Sequence, residues 1–398
     1  MTERCVLAYS GGLDTSVAIG WLKEKYNTEV VAMAVDVGQG VDADLLRARG
    51  EACGAAEVIV VDARDEFARD FALPALRANA LYMGKYPLVS ALSRPLIVKH
   101  LVRVARETGA ASIAHGCTGK GNDQARFEVA TSALAPDLIS IAPVRDAELS
   151  RDAAVAYAEE RGLPVPVTKS SLYSVDENLW GRTIECGILE DPWETPPADA
   201  YEWTADPQTS GAPDVLTITF EKGEPVAVDG ERGSLADTIG AIAKRAGAKG
   251  VGRLDMMEDR LIGIKSREVY EVPGAMTLVT AHRDLEDLTL EASLGVFKRS
   301  MEQTYASLVY NGLWFSPLRA ALDAFVSETQ RPVTGDVRVR MHAGSAVVEG
   351  RRSPYALYSH GLATYEAGDQ FDHQAAAGFV KLWGLPLKVW SEQQGEIR

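Results

Sequence analysis

Two short stretches hold most of the residues able to do chemistry. The first, Ser10-Gly11-Gly12-Leu13-Asp14-Thr15-Ser16, gathers three hydroxyls and a carboxylate around a glycine pair. It follows an apolar run at 5–9 and opens a helix-like run at 16–25. Glycine lets the backbone turn tightly and aim its amides inward. A helix behind such a turn adds N–H groups without internal partners and the positive end of its dipole. Strand, glycine turn and helix start in this order form a cradle for an oxyanion, usually phosphate. This is not the Walker loop, because no Gly-Lys-[Ser/Thr] follows at the required spacing. A glycine pair alone marks only a turn, and Asp or Thr at a helix start can be only a cap. The crowding of hydroxyls and carboxylate at one turn favours phosphate.

The second stretch is His115-Gly116-Cys117-Thr118-Gly119-Lys120-Gly121-Asn122-Asp123-Gln124, with Arg126 one turn into the helix that follows. Lys120 suits a phosphate or carboxylate, and Thr118, Asn122 and Asp123 could order a polar zwitterion. Arg126 offers a bidentate fork for a carboxylate. The plainer reading is a glycine loop ending in an Asx helix cap at Asn122 or Asp123. His115 alone proves nothing.

These stretches need elements that bring them together. Apolar strand-like runs at 6–9, 30–35, 58–61, 112–114 and 138–141 alternate with helical runs at 16–25, 43–52, 66–79, 95–107 and 124–134. Such alternation predicts a doubly wound parallel sheet. Ligands on such sheets sit at the carboxyl ends of strands, where both glycine loops fall. A helix at 151–161 closes the unit, and 162–166 reads as a linker. Beyond it, hairpin signatures surround Lys222-Gly223-Glu224 and His342-Ala343-Gly344, while 235–246 and a long run at 278–310 look helical. The fold class is therefore α/β, with a doubly wound N-terminal nucleotide-binding domain at 1–165, an α+β second domain at 166–365, to which only the family resemblance given below assigns substrate binding and multimerisation, and a C-terminal helical tail at 366–398. The tail carries Phe379, Val380, Leu382, Trp383, Leu385, Leu387, Val389 and Trp390, an apolar face that must pack on its own domain or on another subunit.

Composition narrows the function classes. The chain has 398 residues, 46% hydrophobic and 24% charged, as in an ordinary globular protein. A net charge of -15 argues against a nucleic-acid partner. Cys5, Cys53, Cys117 and Cys186 form no CxxC pair, so neither a zinc site nor a disulfide framework is expected. With no signal peptide and no run of membrane-spanning length, the expected location is the cytoplasm, away from any membrane.

The first stretch resembles the SGGxDS signature of the PP-loop ATP pyrophosphatases, which are adenine nucleotide α-hydrolase-like in fold. Over nearly its whole length the chain is similar to the argininosuccinate synthase family. The similarity is carried by residues 8–16, 115–128, Ser174-Val175-Asp176-Glu177-Asn178-Leu179, Gly250-Val251-Gly252-Arg253-Leu254-Asp255, and Gly263-Ile264-Lys265-Ser266-Arg267-Glu268-Val269-Tyr270-Glu271. The resemblance implies condensation of citrulline with aspartate through a citrullyl-adenylate, with ATP as substrate and Mg2+ as cofactor, in a homotetramer. It places ATP on Ala8, Tyr9, Ser10, Gly11, Gly12, Leu13, Asp14, Thr15, Ser16, Val35 and Gly116. Aspartate falls on Thr118, Asn122 and Asp123, and citrulline on Tyr86, Asn122, Arg126, Ser174, Thr183, Glu258 and Tyr270. Two positions depart from the pattern: many members have serine where this chain has Ala91 and Thr183; Thr183 keeps a hydroxyl, whereas for Ala91 either Ser90 or water substitutes or the contact is missing. No side chain is assigned as nucleophile or general base. The metal ligands stay open, with Asp14 and Asp123 as candidates. The alternatives are another adenylating PP-loop enzyme or an ATP-sensing module without turnover. A thiolating enzyme would bring paired cysteines and a basic surface, which are absent here, and a sensor needs no zwitterion pocket.

Overall fold

Cys5, Val6 and Leu7 are wholly buried, as are most residues from Val30 to Val35, so these strands must be covered on both faces. The computed structural model describes residues 3–146, 151–165 and 173–395. It pairs β1 (Arg4–Ala8), β2 (Glu29–Asp36), β3 (Glu57–Asp62), β4 (Ser112–Ala114) and β5 (Ile139–Ile141) as a parallel sheet in the order β3-β2-β1-β4-β5. The chain runs outward from β1 to β3, then returns to the other side of β1 for β4. The order reverses between β1 and β4, and the carboxyl ends of strands at such a reversal are where sheets of this kind bind their ligands. Both glycine loops leave from those two ends.

Helices pack against this sheet. Val89–Thr108 is apolar along the stripe Leu92, Leu96, Leu101 and Val104, all buried. The expected helix at 66–79 begins at Arg64, passes through a π-turn at Ala68–Ala72 and ends at Arg77. The single long helix expected at 278–310 is two helices, Pro273–Thr289 and Ala292–Tyr310. Leu290 is extended, and the Glu291 side chain accepts from the amides of Ser293 and Leu294, capping the second helix.

Two antiparallel sheets follow. One, ordered β10-β9-β8-β13-β14, contains β8 (Asp214–Glu221), β9 (Glu224–Val228), β10 (Glu231–Arg232), β13 (Gly335–His342) and β14 (Ser345–Arg352). Both expected hairpins are present, with left-handed pairs at Lys222-Gly223 and Ala343-Gly344 suited to a two-residue turn. The other sheet, ordered β11-β12-β7-β6, was not legible as strands. It comprises β6 (Ser174–Asn178), β7 (Gly181–Glu185), β11 (Arg253–Asp259) and β12 (Lys265–Glu271).

By chain contacts, residues 1–355 form one compact unit and 356–398 a second. The second contains the helices His373–Trp383 and Leu385–Gln394, in which no residue is buried. Phe379 stacks on Trp383, and both lie exposed, as do Leu382 and Leu387. No described helix is long and apolar enough to cross a membrane.

Candidate active site

The loop after β1 is held from several sides. The Tyr9 amide donates to the Met33 carbonyl (2.8 Å), continuing the sheet pairing by one step. The Ser10 and Thr15 hydroxyls lie 3.1 Å apart, and the Ser10 amide donates to Thr15 Oγ1 (3.3 Å). Gly11 takes a left-handed φ of 77°, and its carbonyl accepts from Arg49 Nη1 at 2.7 Å. The left-handed φ favours glycine, and a Cβ there would lie 2.3 Å from Leu46 Cδ2 and have to displace that methyl. The helix Leu13–Tyr26 then starts with Asp14 exposed in its first turn and Thr15 and Ser16 buried. Its first-turn amides have no partner within the helix. Val35 is near the end of β2, where its carbonyl accepts from Gln39 Nε2 (2.8 Å).

The second loop touches the first. A Cβ on Gly116 would lie 3.0 Å from Thr15 Cγ2. His115 is buried against Phe127, its Nδ1 accepting from the Cys117 amide and its Nε2 facing Glu128 at 3.3 Å. Burial lowers its pKa, so it stays neutral and fixes the loop. Thr118 and Lys120 are exposed at the loop tip. Asn122 begins the helix Asp123–Leu134, but its side chain makes no cap. Instead Nδ2 donates to Tyr310 Oη (2.8 Å) and Oδ1 accepts from the Leu261 amide (2.8 Å). The simple cap reading therefore does not hold for Asn122.

Asp123 sits between two guanidiniums. Arg94 Nε donates to Oδ2 and Arg126 Nη1 to Oδ1, each at 2.8 Å. Burial alone would raise this carboxyl, but the two arginines outweigh it and hold it well below the usual carboxylate range. Both Asp123 oxygens are therefore engaged by arginines. Arg94 also reaches Asp176 Oδ2 at 2.5 Å, where the Ser90 hydroxyl donates at 2.7 Å. Ser90 thus spends its hydroxyl on Asp176, and Ala91 beside it is buried. Thr183 Oγ1 donates to the Asp176 carbonyl at 3.2 Å.

Beside this ionic group lies a tyrosine cluster. Tyr86 stacks on Tyr270 (4.4 Å between centroids), and Tyr82 stacks on Tyr310 (3.5 Å). Glu258, 3% exposed, accepts from the Tyr270 hydroxyl at Oε1 and from the Tyr310 hydroxyl at Oε2 (2.7 Å). Burial raises its pKa, opposed by those two donors and by Arg126 and Arg260. Arg260 bridges Glu185 and Glu268 and donates to the Lys120 carbonyl (3.2 Å), tying the β11–β12 hairpin to the second loop. Burial and the neighbouring Glu268 push Glu185 up to about 7.

The sequence-selected residues are therefore mostly gathered: Tyr86, Asn122, Asp123, Arg126, Thr183, Glu258 and Tyr270 share one connected network. Ser174 stands apart, exposed at the start of β6, two residues before Asp176 on the same strand face. Arg94, Asp176, Tyr82 and Tyr310 were missed. Of these only Asp176 falls within a stretch that carries the family resemblance, residues 174–179. Among the described residues no three His, Cys, Asp or Glu side chains group to hold a metal ion.

A family model described as the arginosuccinate synthase N-terminal HUP domain matches residues 4–164. A second, described as the arginosuccinate synthase C-terminal domain, matches residues 173–390.

Proposed function

The chain belongs to the argininosuccinate synthase family, and from that premise we propose how its residues divide the work. It is a carbon–nitrogen ligase that condenses citrulline with aspartate, giving argininosuccinate, AMP and pyrophosphate from ATP. A ureido oxygen leaves poorly, so the aspartate amine cannot displace it directly. Attack of that oxygen on the α-phosphorus makes a citrullyl-adenylate, from which AMP departs readily. Catalysis of this kind needs alignment and charge stabilisation rather than a protein nucleophile.

In this reading residues 8–16, the main chain near Val35 and Gly116 hold ATP, with the helix start facing the departing pyrophosphate. Thr118, Asn122 and Asp123 receive aspartate. Tyr86, Asn122, Arg126, Ser174, Thr183, Glu258 and Tyr270 receive citrulline, Arg126 toward its carboxylate and Glu258 toward its ammonium. The observation that carries the reading is the meeting of the two glycine loops at the reversal between β1 and β4.

Magnesium usually keeps several waters and binds substrate phosphates with one or two carboxylates. An exposed Asp14 in the first turn of the Leu13–Tyr26 helix suits that mode, and no larger acidic cage is needed. When bound, the ion would offset the charge of departing pyrophosphate. Incubation with labelled pyrophosphate and ATP tests the chemistry: label enters ATP only when citrulline is present. Exchange without citrulline, or none in any mixture, points to another activity.

The finer reading of assembly is a homotetramer in which the apolar tail helices reach a neighbouring subunit. The exposed Phe379, Leu382, Trp383 and Leu387 support it. Deleting the residues after Gly378 lowers the assembly state in sedimentation. A tetramer unchanged by the deletion removes the tail from that role.

A further inference from the structure

Arg126 and Glu258 lie 132 positions apart in sequence, yet one side chain joins them to Asn122. Tyr310 ends the helix Ala292–Tyr310 and is 1% exposed. Its hydroxyl accepts from Asn122 Nδ2 (2.8 Å) and donates to Glu258 Oε2 (2.7 Å). Its carbonyl accepts from Arg126 Nε (3.0 Å), and its ring faces the Arg126 guanidinium at 4.9 Å. Tyr82 covers the ring by parallel stacking, and Tyr86 meets it edge-on. Gly312 makes this approach possible: at φ 77° it passes so close that a Cβ would lie 2.9 Å from Arg126 Cα.

We propose that Tyr310 is a positioning residue for both amino-acid substrates, its hydroxyl coupling the orientation of Asn122 to that of Glu258. The inference rests on the assignment of Asn122, Arg126 and Glu258 to citrulline and aspartate given above. An amide side chain can rotate or flip unless its donors and acceptors are fixed. Here Oδ1 is fixed by the Leu261 amide and Nδ2 by the Tyr310 hydroxyl. The same hydroxyl, by donating to Oε2, fixes the plane of the Glu258 carboxylate together with Tyr270. A donor to a charged carboxylate is among the stronger hydrogen bonds a protein makes. None of these bonds reaches residues 8–16, Val35 or Gly116, so the effect should divide by substrate.

Tyr310→Phe tests this, because it keeps the ring, its stacking and the backbone carbonyl while removing only the hydroxyl. In steady-state assays of the full chain, KM for citrulline and KM for aspartate each rise, with kcat/KM falling about 10- to 100-fold. KM for ATP stays within about twofold, since no hydrogen bond of that loop is lost. A loss spread equally over all three substrates marks a merely structural role and overturns the proposal, as does no change in either amino-acid KM. Glu258→Gln approaches the same bond from the other side and requires no Tyr310 variant to fold. It should raise KM for aspartate as well as citrulline, and in the double variant the aspartate effects should not add. An aspartate KM unmoved by Glu258→Gln sinks the coupling. A wild-type chain that forms no argininosuccinate refutes the underlying assignment instead, before any variant is compared.

Discussion

Replacing Asp123 by Asn removes nearly all argininosuccinate formation and destabilises the fold in the same stroke. Asn keeps the volume but leaves Arg94 and Arg126 facing one another across a neutral amide, with Asp176 as the remaining counter-charge for Arg94. Arg126 is almost fully buried, so the unpaired cation costs about 3 kcal/mol, the lower end for breaking a buried pair. The lower end applies because Asp123 keeps about a quarter of its side chain in solvent. Activity should fall further, by roughly 10³-fold, because Arg126, proposed above to meet the citrulline carboxylate, also loses the partner that orients it. Denaturant midpoints and initial rates measure the two effects separately.

The same carboxylate carries a pH signature. Its folded pKa is depressed, so its stabilisation is complete above the ordinary carboxylate value of about 4. That stabilisation is withdrawn as pH falls through the folded value, in strongly acidic solution. The Asn variant lacks this slope. A variant that matches wild type in both midpoint and acid sensitivity would remove Asp123 from the centre of the network.

Gly11→Ala should cost about 10²-fold in kcat/KM for ATP, the loss expected when reacting groups are displaced by about 1 Å. Alanine pays for the left-handed φ, and its methyl must push aside Leu46 Cδ2 from 2.3 Å. Gly12→Ala separates strain from occupancy. Gly12 is extended at φ -77°, and its added Cβ would meet only Ser10 Oγ, at 3.4 Å. Stability there should be unchanged, so any loss of ATP use at Gly12 reports the nucleotide's own contact with the loop. Leu46→Ala combined with Gly11→Ala should recover part of the activity by restoring space but not φ. Full ATP use by Gly11→Ala would contradict the assignment of that turn to phosphate.

Legibility in the sequence followed the distance over which each feature is defined. The two glycine loops are local, and their strand-loop-helix context could be read directly. Alternation of apolar runs then put both at the carboxyl ends of a parallel sheet's strands, where β1 and β4 hold them. The sheet β11-β12-β7-β6 escaped because strands such as Lys265–Glu271 and Ser174–Asn178 are crowded with charges. Those charges obscure a clear period-two apolar pattern. Arg94, Asp176 and Tyr310 gain meaning only through pairs 82 and 188 positions apart, for which a single chain offers no signal. The family similarity supplied Tyr86, Thr183, Glu258 and Tyr270, which physical reasoning alone would have passed over. It supplied Ser174 as well, and that residue has no comparable place in the network.

The spread of the network along the chain also dates its completion on the ribosome. The glycine turn at 10–16 and the Asn122–Arg126 segment are translated well before Glu258, Tyr270 and Tyr310. At elongation rates of about 5–20 residues per second, roughly ten seconds or more separate the end of the parallel sheet from the arrival of Tyr310. During that interval a nascent chain can present its glycine loops while Asn122 and Arg126 still lack their distal partners. Translational pausing in this window would prolong the exposure of a half-built centre.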